Sequence, residues 1–327
     1  MPHIDGLRAI AVLLVIVFHI NHQLLPGGFV GVDIFFVISG YLISSQIYKS
    51  VEQRSFSLTS FYIRRIKRIL PAAFVVIATT VFIAQILFLP QDAIKVAESG
   101  IWSAFSMANV YFWKFQDTSY FANSSHEIPL LHLWSLGVEE QFYLFWPLAI
   151  LLLYPKMGAK NFSMLMIFTI AASIAIAELL INRHHSFVYY MLPSRAGELL
   201  TGALLALLLY KKPNELNRLI DVLSSSYAGV LGVALISLSS FFIDKNSAFP
   251  GVLQLFPTLG ALLIITAGFK HKNPIIKLLQ STPLVLIGKF SFSAYLWHWP
   301  ILAYYRYGYG EPGVVSGLLL FATTMLV

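Results

Sequence analysis

The sequence predicts an all-α fold: a polytopic transmembrane helical bundle of about ten spans plus a re-entrant or interfacial helix, with a cytoplasmic N-terminus. Of the 327 residues, 57% are hydrophobic and only 11% are charged. A soluble protein of this size carries about 25% charged residues. In addition, apolar stretches near the length of a membrane-spanning helix recur along the whole chain, and basic loops separate several of them.

Ten apolar stretches approach or reach the length that a span requires. They are 6–25, 28–48, 69–89, 137–155, 162–182, 196–210, 225–243, 252–269, 288–308 and 313–327. Stretch 93–113 is ambiguous because it contains Lys95, Glu98 and Asn109, which are polar for a helix that faces lipid.

The distribution of basic residues decides between two topologies. The connection 49–68, after the second span, is rich in lysine and arginine, and loops 155–160, 210–218 and 270–277 are also basic. Basic loops mark the cytoplasmic side of a membrane protein. All four loops lie on that side only if 93–113 does not cross, so that 90–136 is one long external segment. If 93–113 does cross, the later basic loops face outward; we favour the first topology.

Composition excludes several functions. The chain has no cysteine, which rules out disulfides, thiolate metal sites and cysteine nucleophiles, and we predict no metal centre. The net charge of +7 belongs to cytoplasmic loops and does not indicate nucleic acid. The first span follows Met1 without a cleavage site, so it is a retained span. Because 313–327 is an apolar run without a flanking charge, we expect the chain to end inside a span.

The first span carries ionisable residues along one face. Arg8 and His19 are eleven residues apart, which is about three helical turns. Asp5 lies three residues before Arg8, on the same face, and can pair with it. One interpretation is that Arg8 reaches the membrane surface and His19 bonds a neighbouring helix. The other is a functional site, because a neutral buried imidazole can accept a proton from a hydroxyl or attack a carbonyl, as acyl transfer requires.

Two further patterns follow. In the second span, Ser39 and Gly40 interrupt an apolar helix next to Phe35 and Phe36, and a small residue there lets another helix or a ligand approach closely. Residues 64–68 form a basic cluster at the start of the third span, in which Arg65 and Arg68 face the same way. This cluster suits phosphate binding, but it also suits a topology anchor or an anionic-lipid site.

Three patterns later in the chain carry ionisable groups. Glu139 and Glu140 begin a span, where a carboxylate can orient a histidine or bind a sugar hydroxyl, or simply suit the helix dipole. Arg195 and Glu198 are spaced to pair with each other. His298 lies in the middle of a span two residues before Pro300, which interrupts the helix hydrogen bonds and can mark a site or a packing kink.

Six ordered motifs resemble the membrane-bound acyltransferase-3 family, specifically bacterial O-acetyltransferases that modify surface polysaccharide such as lipopolysaccharide O-antigen. They are IDGLRAIAVLLVIVFH, GGFVGVDIFFVISGYLI, FYIRRIKRILP, LHLWSLGVEEQFYLFWP, RAGELLTG and SFSAYLWHWP. The resemblance implies that 1–327 is the family's transmembrane domain. It assigns family motifs to Arg8 with His19, Phe35 and Phe36 with Ser39 and Gly40, Arg65 with Arg68, and Glu139 with Glu140. It also implies a further span and an extracytoplasmic SGNH hydrolase-like domain after residue 327.

The resemblance and the residues together predict a multi-pass enzyme of the bacterial inner membrane. Acetyl-CoA would bind on the cytoplasmic side with its phosphates near Arg65 and Arg68, while Asp5 and Arg8 hold the cytoplasmic end of the first span. His19 would act as a base or a transient acyl acceptor, helped by Glu139 or Glu140 and by His298. The acceptor would be a sugar hydroxyl of a lipid-linked polysaccharide, or a serine of the C-terminal domain. The alternatives are a transporter of a lipid-linked glycan or an acyl carrier, and a structural or lipid-sensing scaffold.

Overall fold

The protein is described by a computed structural model that covers residues 1–116, 120–121, 123–211, 226–269 and 274–326. Within these residues all regular secondary structure is helical, which confirms the predicted all-α class. The α-helices are α1 (Pro2–Ile20), α2 (Gly31–Glu52), α3 (Leu58–Leu87), α4 (Pro90–Ala104), α5 (Ala108–Lys114), α6 (Leu133–Leu180), α7 (His185–Tyr190), α8 (Leu192–Lys211), α9 (Ser226–Phe242), α10 (Leu255–Ala267), α11 (Pro274–Leu279), α12 (Thr282–Tyr309) and α13 (Val314–Leu326).

The helices agree with the predicted stretches. Five helical segments of the described chain are long and apolar enough to cross a membrane, and three shorter ones are also apolar. Helix α6 has 48 residues, but Gly158 inside it has non-helical backbone angles (φ 70°, ψ 169°) and separates two helices. This break falls between the predicted spans 137–155 and 162–182. Each of the ten predicted stretches overlaps a helix, and the number that crosses the bilayer stays a prediction.

Contacts between helices define two ends of the bundle. Helix α2 and the first half of α6 run parallel, because the Trp146 Nε1 donates to Ser44 Oγ (2.7 Å) and the Tyr154 hydroxyl donates to Glu52 further along. Glu52 also pairs with Lys211 at the end of α8. We call this end, which carries Arg65 and Arg68, the arginine end. The opposite end, formed by residues 21–27, 244–247 and 310–313 around His19, is the histidine end.

Stretch 93–113 does not form one spanning helix. It is divided between α4 and α5, with Ser106 in a left-handed conformation (φ 59°) between them. The 15 residues of α4 extend only about 22 Å, whereas a bilayer core is about 30 Å thick. Before this segment, the Leu89 N–H donates to the Tyr307 hydroxyl. After it, the Ile128 carbonyl accepts from the Trp299 Nε1. Both partners lie in the second half of α12. The segment thus leaves and returns on one side of the bundle, in agreement with the non-crossing topology. Of the basic loops used for that prediction, 212–218 and 270–273 lie outside the described residues.

Close packing between α2 and α8 explains Gly40. A Cβ atom at this position would clash with the main-chain oxygen of Leu199 on α8. Of the two roles that a small residue could have here, the structure shows approach of a neighbouring helix. Gly288 on α12 has the same role against the main chain of Asp5 on α1. The second contact fixes α12 beside α1, which matters for the site because each helix carries a buried histidine.

Candidate active site

A chain of hydrogen bonds joins two histidines from opposite ends of the sequence. His19 lies one residue before the end of α1, and His298 lies in the middle of α12. The His19 Nδ1 and the His298 Nε2 are 3.0 Å apart, and both side chains are buried. The other ring nitrogen of His19, Nε2, lies 2.7 Å from the hydroxyl of Tyr120. The predicted site residues His19 and His298 therefore belong to one hydrogen-bonded unit.

The partners of the two rings fix where their protons lie when both are neutral. The His298 Nδ1 is 2.5 Å from the main-chain oxygen of Tyr295, which can only accept, so this nitrogen carries the proton. The His298 Nε2 is then an acceptor and receives the Nδ1–H of His19. This leaves the Nε2 of His19 with its lone pair free to accept, and Tyr120 donates to it. His298 thus orients His19 with a basic nitrogen directed at a hydroxyl group.

Arg306 holds the main chain of His19. Its guanidinium Nη2 donates to the His19 carbonyl, which lies in the last turn of α1, where carbonyl groups have no helical partner. The Arg306 Nε donates to Glu311 (3.1 Å), and the opposite oxygen of Glu311 lies 3.2 Å from His126 Nδ1. Helix α12 therefore positions His19 at two points: the ring through His298 and the main chain through Arg306.

A cavity of about 460 Å³ opens at the histidine end, and His19 lies in its wall. Polar side chains dominate the rest of its lining: His22, Gln23, His126, Glu127, Asp244, Lys245, Asn246, Arg306 and Glu311. Phe18 and Phe121 add aromatic surface. Burial lowers the pKa of the His126 imidazole, although its contact with Glu311 acts in the opposite sense. A cavity that combines apolar and aromatic surface with many polar side chains suits a polyhydroxylated ligand such as a sugar.

A second cavity, of about 130 Å³, opens at the arginine end. The structure brings seven of the predicted site residues together in its wall: Arg8, Phe35, Phe36, Ser39, Arg65, Arg68 and Glu139. Gln46 and Lys289 also line it. The cavity therefore presents four cationic side chains and one carboxylate, which favours an anionic ligand with an uncharged part that reaches inward.

Hydrogen bonds order the inner part of this second cavity. The Ser39 hydroxyl donates to Glu139 Oε1 and lies 2.8 Å from the Tyr143 hydroxyl. Nearer the arginine end, Arg65 donates to Gln46 Oε1 (3.0 Å). Arg8 forms the predicted ion pair with Asp5, at 3.8 Å.

Four predicted site residues lie outside both cavity walls, and one of them, His298, contacts a wall residue through its bond to His19. Gly40 packs against α8, as described above. Glu140 is adjacent to Glu139 but points elsewhere, and its Oε1 has no hydrogen-bond partner among the described residues. Asp5 is half-buried beside Arg8 and acts on the second cavity only through that ion pair. Glu139 itself lies with Ser39 rather than with His19, so the structure does not bring either carboxylate to the histidines.

A thin layer of side chains separates the two cavities. Tyr295 and Ser135 line the arginine-end cavity, and their hydroxyl groups are 2.7 Å apart. The main chain of Tyr295 accepts from His298, which in turn contacts His19 in the other cavity. His132 lies in the same layer, with its ring centre 5.6 Å from that of His298.

A buried ion cluster supports this layer from the side of α8. Arg195 pairs with Glu198 at 3.1 Å, as the sequence predicted, and also with Asp33 of α2 at 3.3 Å. The guanidinium lies 5.5 Å from the ring centre of Phe36 and 5.6 Å from that of Tyr189. Tyr189 stacks on Tyr120, the partner of His19. Arg195 therefore joins one wall of the arginine-end cavity to the group that holds His19.

Several residues of the site are not predicted from the sequence. Tyr120, His132, Ser135, Lys289, Tyr295 and Arg306 were not selected as site residues. Tyr120 lies in the long segment between α3 and α6, where no periodic pattern indicates a partner. His132 and Arg306 did carry a signal, because His132 is an ionisable residue beside an apolar stretch and Arg306 is one inside an apolar stretch.

Comparison with known proteins agrees with an acyltransferase of the membrane. A family profile described as "Acyltransferase domain" matches residues 1–327, and the chain belongs to this family, acyltransferase 3. It is 38% identical over 314 residues to "Putative O-acetyltransferase SAS0844" of Staphylococcus aureus (strain MSSA476). It is 34% identical over 311 residues to O-acetyltransferase OatA of Staphylococcus aureus (strain NCTC 8325 / PS 47). Both alignments cover 93% of this chain and 51% of the relative, so the chain spans about half the length of these proteins. No solved structure matches the chain significantly.

Proposed function

We propose that this protein transfers an acetyl group from acetyl-CoA, bound at the arginine end, to a sugar hydroxyl of a lipid-linked surface polysaccharide at the histidine end. The proposal rests on the positions of the hydrogen-bonding protons around His19. His19 lies in the wall of the histidine-end cavity, His298 holds its ring, and its Nε2 accepts a hydrogen bond from the Tyr120 hydroxyl. A general base for acyl transfer to a hydroxyl needs this arrangement.

The cationic cavity supports the assignment of the donor. Arginine binds phosphate groups in a bidentate manner, and Arg65 and Arg68 lie one turn apart at the cavity wall. The pantetheine arm would then enter between Phe35 and Phe36 and pass Ser39, with the thioester near Tyr295. The excess of basic residues at the arginine end supports a cytoplasmic location for this end, and we propose the bacterial inner membrane as the location of the protein.

In the proposed reaction one oxygen–carbon bond forms and one carbon–sulfur bond breaks. An acceptor hydroxyl takes the position that the Tyr120 hydroxyl now has, gives its proton to His19 Nε2, and its oxygen forms a bond to the thioester carbonyl carbon. The carbon–sulfur bond then breaks, and CoA leaves as a thiolate. The thiolate takes up a proton from water in the arginine-end cavity, which we call the donor cavity. His19 returns its proton to water on its own side. If His19 is instead acylated first, the same nitrogen attacks the carbonyl carbon and the acceptor attacks next.

The chain and its relatives differ in length, which bears on the acceptor. Because the chain spans about half of the relatives that it matches, we propose that residues 1–327 form the transmembrane domain of a longer protein. In this proposal an extracytoplasmic SGNH-type domain follows, and a serine of that domain is an alternative first acceptor.

The test is turnover of acetyl-CoA labelled at the carbonyl carbon, with the full-length protein in lipid nanodiscs. We expect the wild type to release CoA and His19→Ala to release none above background, with both proteins folded. His184→Ala is the matched control, because His184 is exposed and lies outside both cavity walls. Label that stays on the protein indicates an acyl-enzyme. Binding and movement of a lipid-linked glycan without CoA release would instead support a transporter.

A further inference from the structure

His132 is a buried histidine that has no role in the mechanism proposed above. It precedes α6, and its side chain has no solvent exposure. Neither ring nitrogen has a hydrogen-bond partner of good geometry among the described residues, although the ring makes a weak hydrogen bond with the main chain of Leu296. Burying a polar group without a partner costs free energy, so such a group in a folded protein requires an explanation.

His132 lines neither cavity, but its ring lies beside residues that are connected to each of them. Its ring centre is 5.7 Å from that of Tyr295 and 5.6 Å from that of His298. Tyr295 and Leu296 line the donor cavity, whereas His298 bonds His19 in the wall of the histidine-end cavity, which is the proposed acceptor cavity. An acetyl group that passes from one cavity to the other must cross this layer.

Two hydrogen bonds fix the main chain of His132, whereas its ring has only the weak contact with the Leu296 main chain among the described residues. Its carbonyl oxygen accepts from the Tyr295 hydroxyl (3.1 Å) and from the Ser135 hydroxyl (3.2 Å). These two hydroxyl groups also bond each other at 2.7 Å. The backbone on which the imidazole stands is therefore held in place from the donor side, as a preorganised donor group requires.

We infer that the imidazole N–H of His132 donates to the carbonyl oxygen of the acetyl thioester and stabilises the oxyanion that forms when the acceptor attacks. This inference rests on the proposed function. The step moves no proton to or from His132: the acceptor proton goes to His19, the carbonyl oxygen becomes negative in the tetrahedral intermediate, and the charge leaves with the CoA thiolate. A neutral imidazole suits this task because one ring nitrogen always carries a hydrogen. The other residues of the layer already have partners: His298 bonds Tyr295 and His19, and Tyr295 bonds Ser135.

The experiment compares His132→Leu and His132→Gln with the wild type in full-length protein. Removal of one oxyanion donor lowers kcat by about 100-fold to 1,000-fold in hydrolases. We expect such a loss for His132→Leu with little change in the KM for acetyl-CoA, and we expect His132→Gln, which keeps an N–H donor, to recover part of it. Equal losses in both variants, a change in KM alone, or full activity of His132→Leu would each overturn the inference.

A spectroscopic measurement keeps the test independent of turnover. Bound acetyl-CoA labelled at the carbonyl carbon should show a lower carbonyl stretching frequency in the wild type than in His132→Leu, because a hydrogen bond weakens the carbonyl double bond. The same frequency in both proteins would overturn the inference even if His132→Leu is unstable. If wild-type turnover requires His19 but substitution of His132 has no effect, this inference alone fails. Absence of wild-type turnover removes the proposed function.

Discussion

The Nδ1 of His19 and the Nε2 of His298 lie 3.0 Å apart although 279 positions separate them in the chain. The contact depends on close packing of α1 and α12, which Gly288 permits by letting the main chain of Asp5 approach. One helix supplies the proposed base, and the other supplies the group that fixes which nitrogen of that imidazole accepts a hydrogen bond. Several consequences for activity follow from this pairing.

The first prediction concerns His298. His298→Phe removes the acceptor of the His19 Nδ1–H, so His19 loses both its orientation and its tautomer preference. We expect kcat for CoA release to fall about 100-fold, in the range that general base catalysis contributes. The measurement is steady-state CoA release at saturating acetyl-CoA, with His184→Ala as the control. Wild-type kcat in His298→Phe would show that the contact does not orient the base.

The second prediction concerns Arg306, which bonds the main-chain oxygen of His19. Arg306→Met removes a buried donor to the last turn of α1 and leaves that carbonyl unpaired, at a cost of about 1–3 kcal/mol. We expect a lower melting temperature and a loss of kcat. Glu311→Gln keeps the guanidinium and should have a smaller effect on both quantities, because its side chain is 61% exposed. If the two variants have equal effects, the bond to His19 is not the important contact of Arg306.

The sequence indicated the ionisable residues of the spans better than their partners. His19, Arg8 and His298 were found because an ionisable residue within an apolar stretch is rare. Their contacts depend on which helices become neighbours, and a single sequence does not carry that information. Glu139 and Glu140 show the same limit at closer range: a helix rotates by about 100° per residue, so adjacent carboxylates point to different surroundings. Glu139 lines the arginine-end cavity and Glu140 lines neither of the two cavities described above, a difference that the adjacent positions in the sequence do not predict.

The third prediction distinguishes the arginines of the basic cluster by their effect on the KM for acetyl-CoA. Arg65 and Arg68 line the donor cavity, whereas Arg64 does not. We expect Arg65→Gln and Arg68→Gln each to raise the KM for acetyl-CoA about 10-fold, since a charge-assisted hydrogen bond contributes about 1.5–3 kcal/mol. Arg64→Gln should leave the KM near the wild-type value. A similar rise in all three variants would indicate that the cluster acts through its total charge, as a lipid or topology anchor does.

The fourth prediction uses the two neighbouring carboxylates as a matched pair. Glu139 accepts from Ser39 in the wall of the arginine-end cavity. In the proposed donor site it would accept an amide N–H of the pantetheine arm. Glu139→Gln should raise the KM for acetyl-CoA by about 10-fold, the loss of one hydrogen bond to a charged group. Glu140→Gln should not, because Glu140 lies outside both cavity walls. The reverse order of effects would move the donor site away from this cavity. Isothermal titration with a non-hydrolysable acetyl-CoA analogue gives the affinity directly.

The last prediction concerns Gly40 and distinguishes helix packing from ligand binding. Gly40→Ala places a Cβ atom against the main-chain oxygen of Leu199, so α2 and α8 must separate. Overpacking of this kind costs about 1–3 kcal/mol, and the melting temperature in nanodiscs should fall. The matched control is Gly308→Ala, because a Cβ atom at Gly308 meets nothing within 4 Å in the described structure. That change should be neutral, or stabilising by the roughly 0.5–1 kcal/mol that alanine gains over glycine in a helix. If Gly40→Ala keeps the wild-type melting temperature but raises the KM for acetyl-CoA, Gly40 serves the donor site and not the contact between the helices.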